Sequence, residues 1–199
     1  MELFYKGGPA WWNKIRSLYS GKIFLDLKLH DIPQTVKLAV EALGALSPDF
    51  LTIHLAGGER MLEAALEAVE KNRLPTKLLG VSILTSLAPQ DWADTLNIPT
   101  EHFQKSFLSL TNLATKVGLP GLILSPQELQ FITTTKLIKV CPGIQFATTP
   151  ASTDQRRVAT PGQTFASGAD YLVIGRAWRN ASDKKKALLE LLEAEQGHQ

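Results

Sequence analysis

Cysteine is almost missing from this sequence, with Cys141 alone among 199 residues. A single cysteine excludes an intramolecular disulfide framework, and with no histidine at motif spacing it reads as a buried structural thiol. Long hydrophobic runs are missing too, because Asp, Glu, Lys or Pro interrupts every stretch before the ~18 residues that a membrane-spanning helix needs. The first residues, MELFYKGGPAWW, lack the basic and apolar regions of a secretory leader. These features point to a cytoplasmic protein with no membrane partner. Charge of one sign is scarce, since the net charge is only +2 and the basic residues are scattered, which argues against a nucleic-acid partner. Neither G-x-G-x-x-G nor G-x-x-x-x-G-K-[ST] occurs, so the usual warrant for a dinucleotide or P-loop nucleotide is lacking. The run Lys184 to Lys186 reads as the solvated face of a tail helix whose apolar stripe is Leu188, Leu191 and Leu192.

What is present is ordinary for a globular chain: 44% hydrophobic and 20% charged residues, enough for a single domain over residues 1–199. Six apolar, β-rich runs stand out at 23–29, 50–55, 78–84, 121–125, 137–144 and 171–175. Helical spacings separate them, as in Val36, Ala39, Val40 and Leu43 behind Pro33, or Met61, Leu62, Ala65 and Val69. Further helical stretches are expected at Phe103 to Ala114, Glu128 to Ile132 and Thr164 to Ala166, and ahead of the first strand around Trp11, Ile15 and Leu18. A repeated βα unit implies a parallel sheet covered by helices, either an open doubly wound sheet or a (β/α)₈ barrel. The strand count alone favours the open sheet.

The strand IFLDLKLHDIP carries the chemistry. Period-two alternation puts Leu25, Leu27 and Leu29 on one face and Asp26, Lys28 and His30 on the other. On an exposed edge strand that face would be solvated. In a covered sheet the charges are enclosed, and enclosed charges persist when they pair or work. Asp31 follows at the strand's C-terminal end, where α/β proteins place their sites. Two carboxylates would hold Lys28 charged and able to donate a proton or stabilise an anion. The second feature is YLVIGR, with Gly175 and Arg176 after a strand, which reads either as a surface arginine or as a phosphate contact. His54 reads as a packed or hydrogen-bonded histidine, Thr85 and Ser86 as a strand-end turn, and Gln155 as a loop residue.

Taken in order, FLDLKLHDIPQTV, HLAGG at 54–58, LTS at 84–86, PGI at 142–144, DQRR at 154–157, TP at 160–161 and DYLVIGR at 170–176 resemble the orotidine 5′-phosphate decarboxylases. The resemblance implies a (β/α)₈ TIM barrel, reversing the preference drawn from strand count, and a homodimer with shared active sites and neither metal nor cofactor. It implies decarboxylation of orotidine 5′-monophosphate to UMP and CO₂ in pyrimidine biosynthesis, with Lys28 as proton donor and Asp26 as the carboxylate beside the substrate's carboxyl group. Asp31, Ile32 and Thr35 would reach the partner subunit's site, Thr85 would sit near the pyrimidine, and Gln155, Gly175 and Arg176 would surround the phosphate. Two departures are expected. The family has two strands ahead of the D-x-K-x-x-D strand, carrying an Asp and a second Lys for which this chain has no matching positions, Lys6 being no substitute. The family's P-G-I-R reads Pro142-Gly143-Ile144-Gln145 here. Two other readings follow: a catalytically dead truncated barrel that retains phosphate binding, and a related metal-dependent sugar-phosphate decarboxylase that shares the Asp-Lys-Asp set.

Overall fold

The computed structural model describes residues 2–133, 136–146 and 157–197. The chain forms two compact units, Met1–Val81 with Leu113–Pro120, and Ser82–Asn112 with Gly121–Gln199. In the first unit α1 (Glu2–Leu18), β1 (Phe24–Leu29), α2 (Pro33–Gly44), β2 (Phe50–His54), α3 (Glu59–Lys71) and β3 (Lys77–Val81) alternate. All three strands run parallel, with β2 paired to both β1 and β3. That position explains the composition of β2, in which Phe50, Leu51, Thr52 and Ile53 are all buried, as expected of a parallel strand covered on both faces. Val36 and Val40 of α2 are buried together with Met61, Leu62, Ala65 and Ala68 of α3, and the two helices pack on one another. Pro33 opens α2, where its missing N–H costs nothing. The helix around Trp11 extends further back than its spacing suggests: α1 begins at Glu2 and is kinked at Gly8, whose φ of 54° only glycine adopts readily.

The second unit contains α4 (Pro89–Leu96), the part of α5 (Phe103–Val117) up to Asn112, β4 (Gly121–Ile123), β5 (Ile138–Cys141), α6 (Pro161–Ala166), β6 (Tyr171–Leu172), α7 (Arg176–Asn180) and α8 (Lys184–Gln196). Again the strands are parallel and neighbours in chain order, β4 to β5 and β5 to β6. All six sequence-expected strands are therefore present, although the last is trimmed to two residues. The expected helix at Glu128 to Ile132 is instead a 3₁₀ segment, Pro126–Phe131. Glu128 accepts the Ser125 N–H at 2.8 Å, so its carboxylate caps this short turn rather than facing solvent. Two short helices, α4 of eight residues and α7 of five, escape the sequence reading. The α4 start is closed by Asp91 Oδ2, which accepts the Ala88 N–H at 2.7 Å.

The lysine run of α8 is exposed as expected, but its apolar stripe differs. Leu188 and Leu192 are 46% and 45% exposed, and the residues that pack are Ala187 and Leu191, against Phe146, Ala181 and Trp178. Lys184 is not simply solvated. Its Nζ donates to the carbonyls of Arg179 at 2.7 Å and Ala181 at 3.2 Å, neutralising the C-terminal end of α7. Among the described residues no helix is long and apolar enough to cross a membrane.

Candidate active site

The charged face of β1 is not a regular strand face. Leu25 pairs with Leu51 and Leu29 with Ile53, so Asp26, Leu27 and Lys28 stand opposite Thr52 alone. Lys28 absorbs the surplus chain with φ 54°, a left-handed conformation costing a side-chain-bearing residue roughly 1–2 kcal/mol. Bulges of this kind re-aim side chains beside functional sites. Here Lys28 Nζ lies 2.6 Å from Asp26 Oδ2, and the Thr52 hydroxyl donates to Asp26 Oδ1 at 2.9 Å. The Lys28 N–H donates in turn to Thr52 Oγ1 at 2.8 Å. Asp26 and Lys28 are both partly exposed, about a third of each side chain being open to solvent (34% and 28%). The ion pair thus sits on a fixed backbone with one side accessible.

Asp31 stands apart from that pair. Its Oδ1 accepts its neighbour Ile32's N–H at 2.7 Å, and no ion pair joins it to Lys28 among the described residues. Asp31, Ile32 and Thr35 all lie exposed where the chain enters α2, and Ile32 is 67% exposed. Among the described residues the ammonium therefore has one carboxylate partner, Asp26, whereas spacing alone suggests two.

Histidine geometry goes beyond the sequence pattern. His54 has no second histidine at ligand spacing along the chain, yet the fold sets His30 against it, with ring centroids 5.2 Å apart and planes inclined by 35°. Burial pushes the His54 pKa below its ordinary value, with the fields of His30 and Lys28 acting in the same direction and Asp26 opposing them. Its imidazole is held towards the neutral form. Among the described residues no group of three His, Cys, Asp or Glu side chains is gathered to hold a metal ion.

The remaining expected site residues belong to the second unit. Thr85 lies in the turn after Ile83 and Leu84 and is half-buried. Gly175 caps the start of α7, whose first residue is Arg176, and both are exposed. Gln155 lies outside the described residues. Its near neighbour Arg157 is buried against Glu128, 4% and 2% exposed respectively, and forms an ion pair with it. The Arg157 guanidinium also donates to the Ile83 and Leu84 carbonyls at 3.2 and 2.9 Å and faces the Phe103 ring at 5.2 Å. Burial pushes the Glu128 carboxyl above its ordinary pKa while Arg157 opposes the rise.

The P-G-I segment has a clear structural duty. Gly143 has φ 86°, and a Cβ built on it would come within 2.7 Å of the Arg157 carbonyl oxygen. The Ala159 N–H donates to the Gly143 carbonyl at 3.1 Å and the Gln145 N–H to the Ala159 carbonyl at 3.0 Å. Two chain segments are thereby zipped where only glycine fits. Cys141 is fully buried, and burial pushes its thiol up to about 12, in keeping with a structural role.

Comparison with known proteins supplies the context for this arrangement. The model of the "Orotidine 5′-phosphate decarboxylase / HUMPS family" matches residues 1–191. An orotidine 5′-phosphate decarboxylase of Gloeothece citriformis is 39% identical over 190 residues, covering 94% of this chain and 81% of the relative. One from Nostoc sp. is 40% identical over 195 residues, with the same coverage of 94% and 81%. Among solved structures, orotidine 5′-phosphate decarboxylase from Lactobacillus acidophilus superposes with a TM-score of 0.77 at 32% identity. It matches 98% of this chain and 84% of its own.

Proposed function

Since the chain belongs to the orotidine 5′-phosphate decarboxylase / HUMPS family, and shares that barrel type of α/β fold, we propose that it decarboxylates orotidine 5′-monophosphate to UMP as a single decarboxylase domain. The observation that carries this reading is the 2.6 Å contact between Lys28 Nζ and Asp26 Oδ2, held on the bulge that Thr52 secures. The reaction breaks the bond from C6 to the carboxyl carbon and leaves its electron pair in the ring plane. No carbonyl or Schiff base is placed to accept that pair. A fixed cation is the remaining remedy: the Lys28 ammonium stabilises the developing carbanion and then transfers a proton to C6, while CO₂ departs. Lys28 regains its proton from solvent. Asp26 orients the ammonium and lies beside the substrate's carboxyl group.

By family resemblance Gly175, Arg176 and Gln155 would bind the substrate's phosphate, each ~1.4 kcal/mol of that binding realised only in the transition state giving tenfold in rate. In a homodimer, Asp31, Ile32 and Thr35 would serve the partner's site, which fits their exposure at the start of α2. Thr85 would contact the pyrimidine. The test is an ultraviolet assay of orotidine 5′-monophosphate loss without added metal, beside Lys28→Ala and Arg176→Ala. The expected result is turnover abolished by Lys28→Ala and a raised KM for Arg176→Ala with phosphate-free orotidine little affected. Lysine-independent turnover would overturn the proton-donor role, and a soluble, folded chain without turnover would overturn the activity.

A further inference from the structure

We infer that Thr52 is a positioning residue for the Asp26–Lys28 pair, setting both the carboxylate and the ammonium through one oxygen atom. This inference rests on the decarboxylase reading above. Thr52 is completely buried in β2, a place where a β-branched residue would ordinarily serve only to pack. Its hydroxyl both accepts and donates, and the pattern has a fixed direction. The Lys28 N–H can only donate, so Oγ1 must accept it at 2.8 Å. The hydroxyl proton is then directed to the acceptor Asp26 Oδ1 at 2.9 Å.

Each of these bonds answers a defect in the strand. At φ 54° Lys28 has left the regular ladder, and the one residue opposite the surplus chain is Thr52. The hydroxyl supplies the acceptor for an amide turned out of the ladder, since a buried N–H left unpaired is costly. It also fixes one carboxylate oxygen of Asp26, leaving Oδ2 for Lys28 Nζ at 2.6 Å. Removing that single oxygen would free the Lys28 backbone and the Asp26 side chain together. Serine preserves it. Valine preserves the shape and deletes it.

The experiment compares Thr52→Val and Thr52→Ser with the unsubstituted chain by steady-state kinetics on orotidine 5′-monophosphate and by amide hydrogen exchange of Lys28 followed by NMR. Thr52→Val is expected to lower kcat by about 10²-fold with KM little changed, because displacement of a reacting group by about 1 Å costs that much. Its Lys28 amide should exchange faster. Thr52→Ser should restore both kcat and amide protection, which a packing role for the threonine methyl would not produce. The inference is overturned by an unchanged kcat in Thr52→Val, by equal losses in both variants, or by a Lys28 amide that stays protected in Thr52→Val. Should the unsubstituted chain itself be inactive, the decarboxylase reading fails separately. The exchange result then decides whether Thr52 holds Lys28: unchanged protection in Thr52→Val overturns the inference, and faster exchange reversed in Thr52→Ser upholds the anchoring.

Discussion

His54 lies under His30 with ring centroids 5.2 Å apart, and burial drives the His54 pKa below its ordinary value. The fold therefore prefers neutral His54 more strongly than the unfolded chain does. The linked stability is fully present above the unfolded value near 6.5 and is lost as pH falls below it, because the unfolded state then binds the proton first. The melting temperature is expected to drop between pH 7.5 and 5.5, and to drop less in His54→Gln. Thermal melts at both pH values check this, and equal slopes for the two proteins would sink it.

At Lys28 the left-handed backbone separates chemistry from conformation. Replacement by alanine keeps the Cβ penalty at φ 54°, whereas glycine escapes it. Lys28→Gly is expected to be more stable than Lys28→Ala by about 1 kcal/mol despite the greater freedom of unfolded glycine, with both inactive. Urea denaturation of the two variants decides the matter. Alanine proving the more stable would contradict the bulge.

The Glu128–Arg157 ion pair is buried on both sides, at 3% and 5% side-chain exposure. Glu128→Ala would strand a buried guanidinium and remove the Ser125 cap, with an expected cost of about 3–5 kcal/mol. A Glu128→Leu, Arg157→Met double variant should recover much of that loss, since two apolar residues avoid both desolvation penalties. Denaturant midpoints for the single and double variants provide the measurement, and additive losses would refute the coupling.

Cys141 offers a simple probe of the core. With its thiol buried and raised to about 12, the native protein should resist iodoacetamide at pH 8 and react fully in guanidinium, because the thiolate is the reactive form. Mass spectrometry of the alkylated chain reads the result directly. Rapid native labelling would mean that the end of β5 opens to solvent.

Strand positions were legible because apolar β-rich runs bounded by turn residues survive any tertiary context, and all six recur in the fold. Asp26 and Lys28 were legible as partners because two residues apart on a strand share a face. The reason they meet is different. The bulge at Lys28 breaks that alternation, and Thr52, buried 24 residues away on the next strand, restores the contact. Nothing local in FLTIH marks its threonine as anything but a strand residue. Asp31 illustrates the opposite failure: sequence proximity suggested a second partner for the ammonium, but the start of α2 claims its carboxylate for the Ile32 amide. The histidine pair is a product of strand pairing and has no sequence period. Arg157, read as part of a motif, proved to be a buried strut, a role visible only once Glu128 and the Leu84 carbonyl are in place.

Gly143 gives the second unit a point of mechanical sensitivity. Its missing side chain lets the Arg157 carbonyl approach, while the other end of Arg157 grips the Ile83 and Leu84 carbonyls beside Thr85. Arginine thus acts as a rigid lever with Gly143 at its fulcrum. One added methyl group there would tilt the lever and shift the turn that carries Thr85, although no atom of residue 143 belongs to that turn. Genetic change at this glycine would then read out as a defect at a distant loop, and a second-site suppressor would be sought at Glu128 or Phe103, along the lever's length.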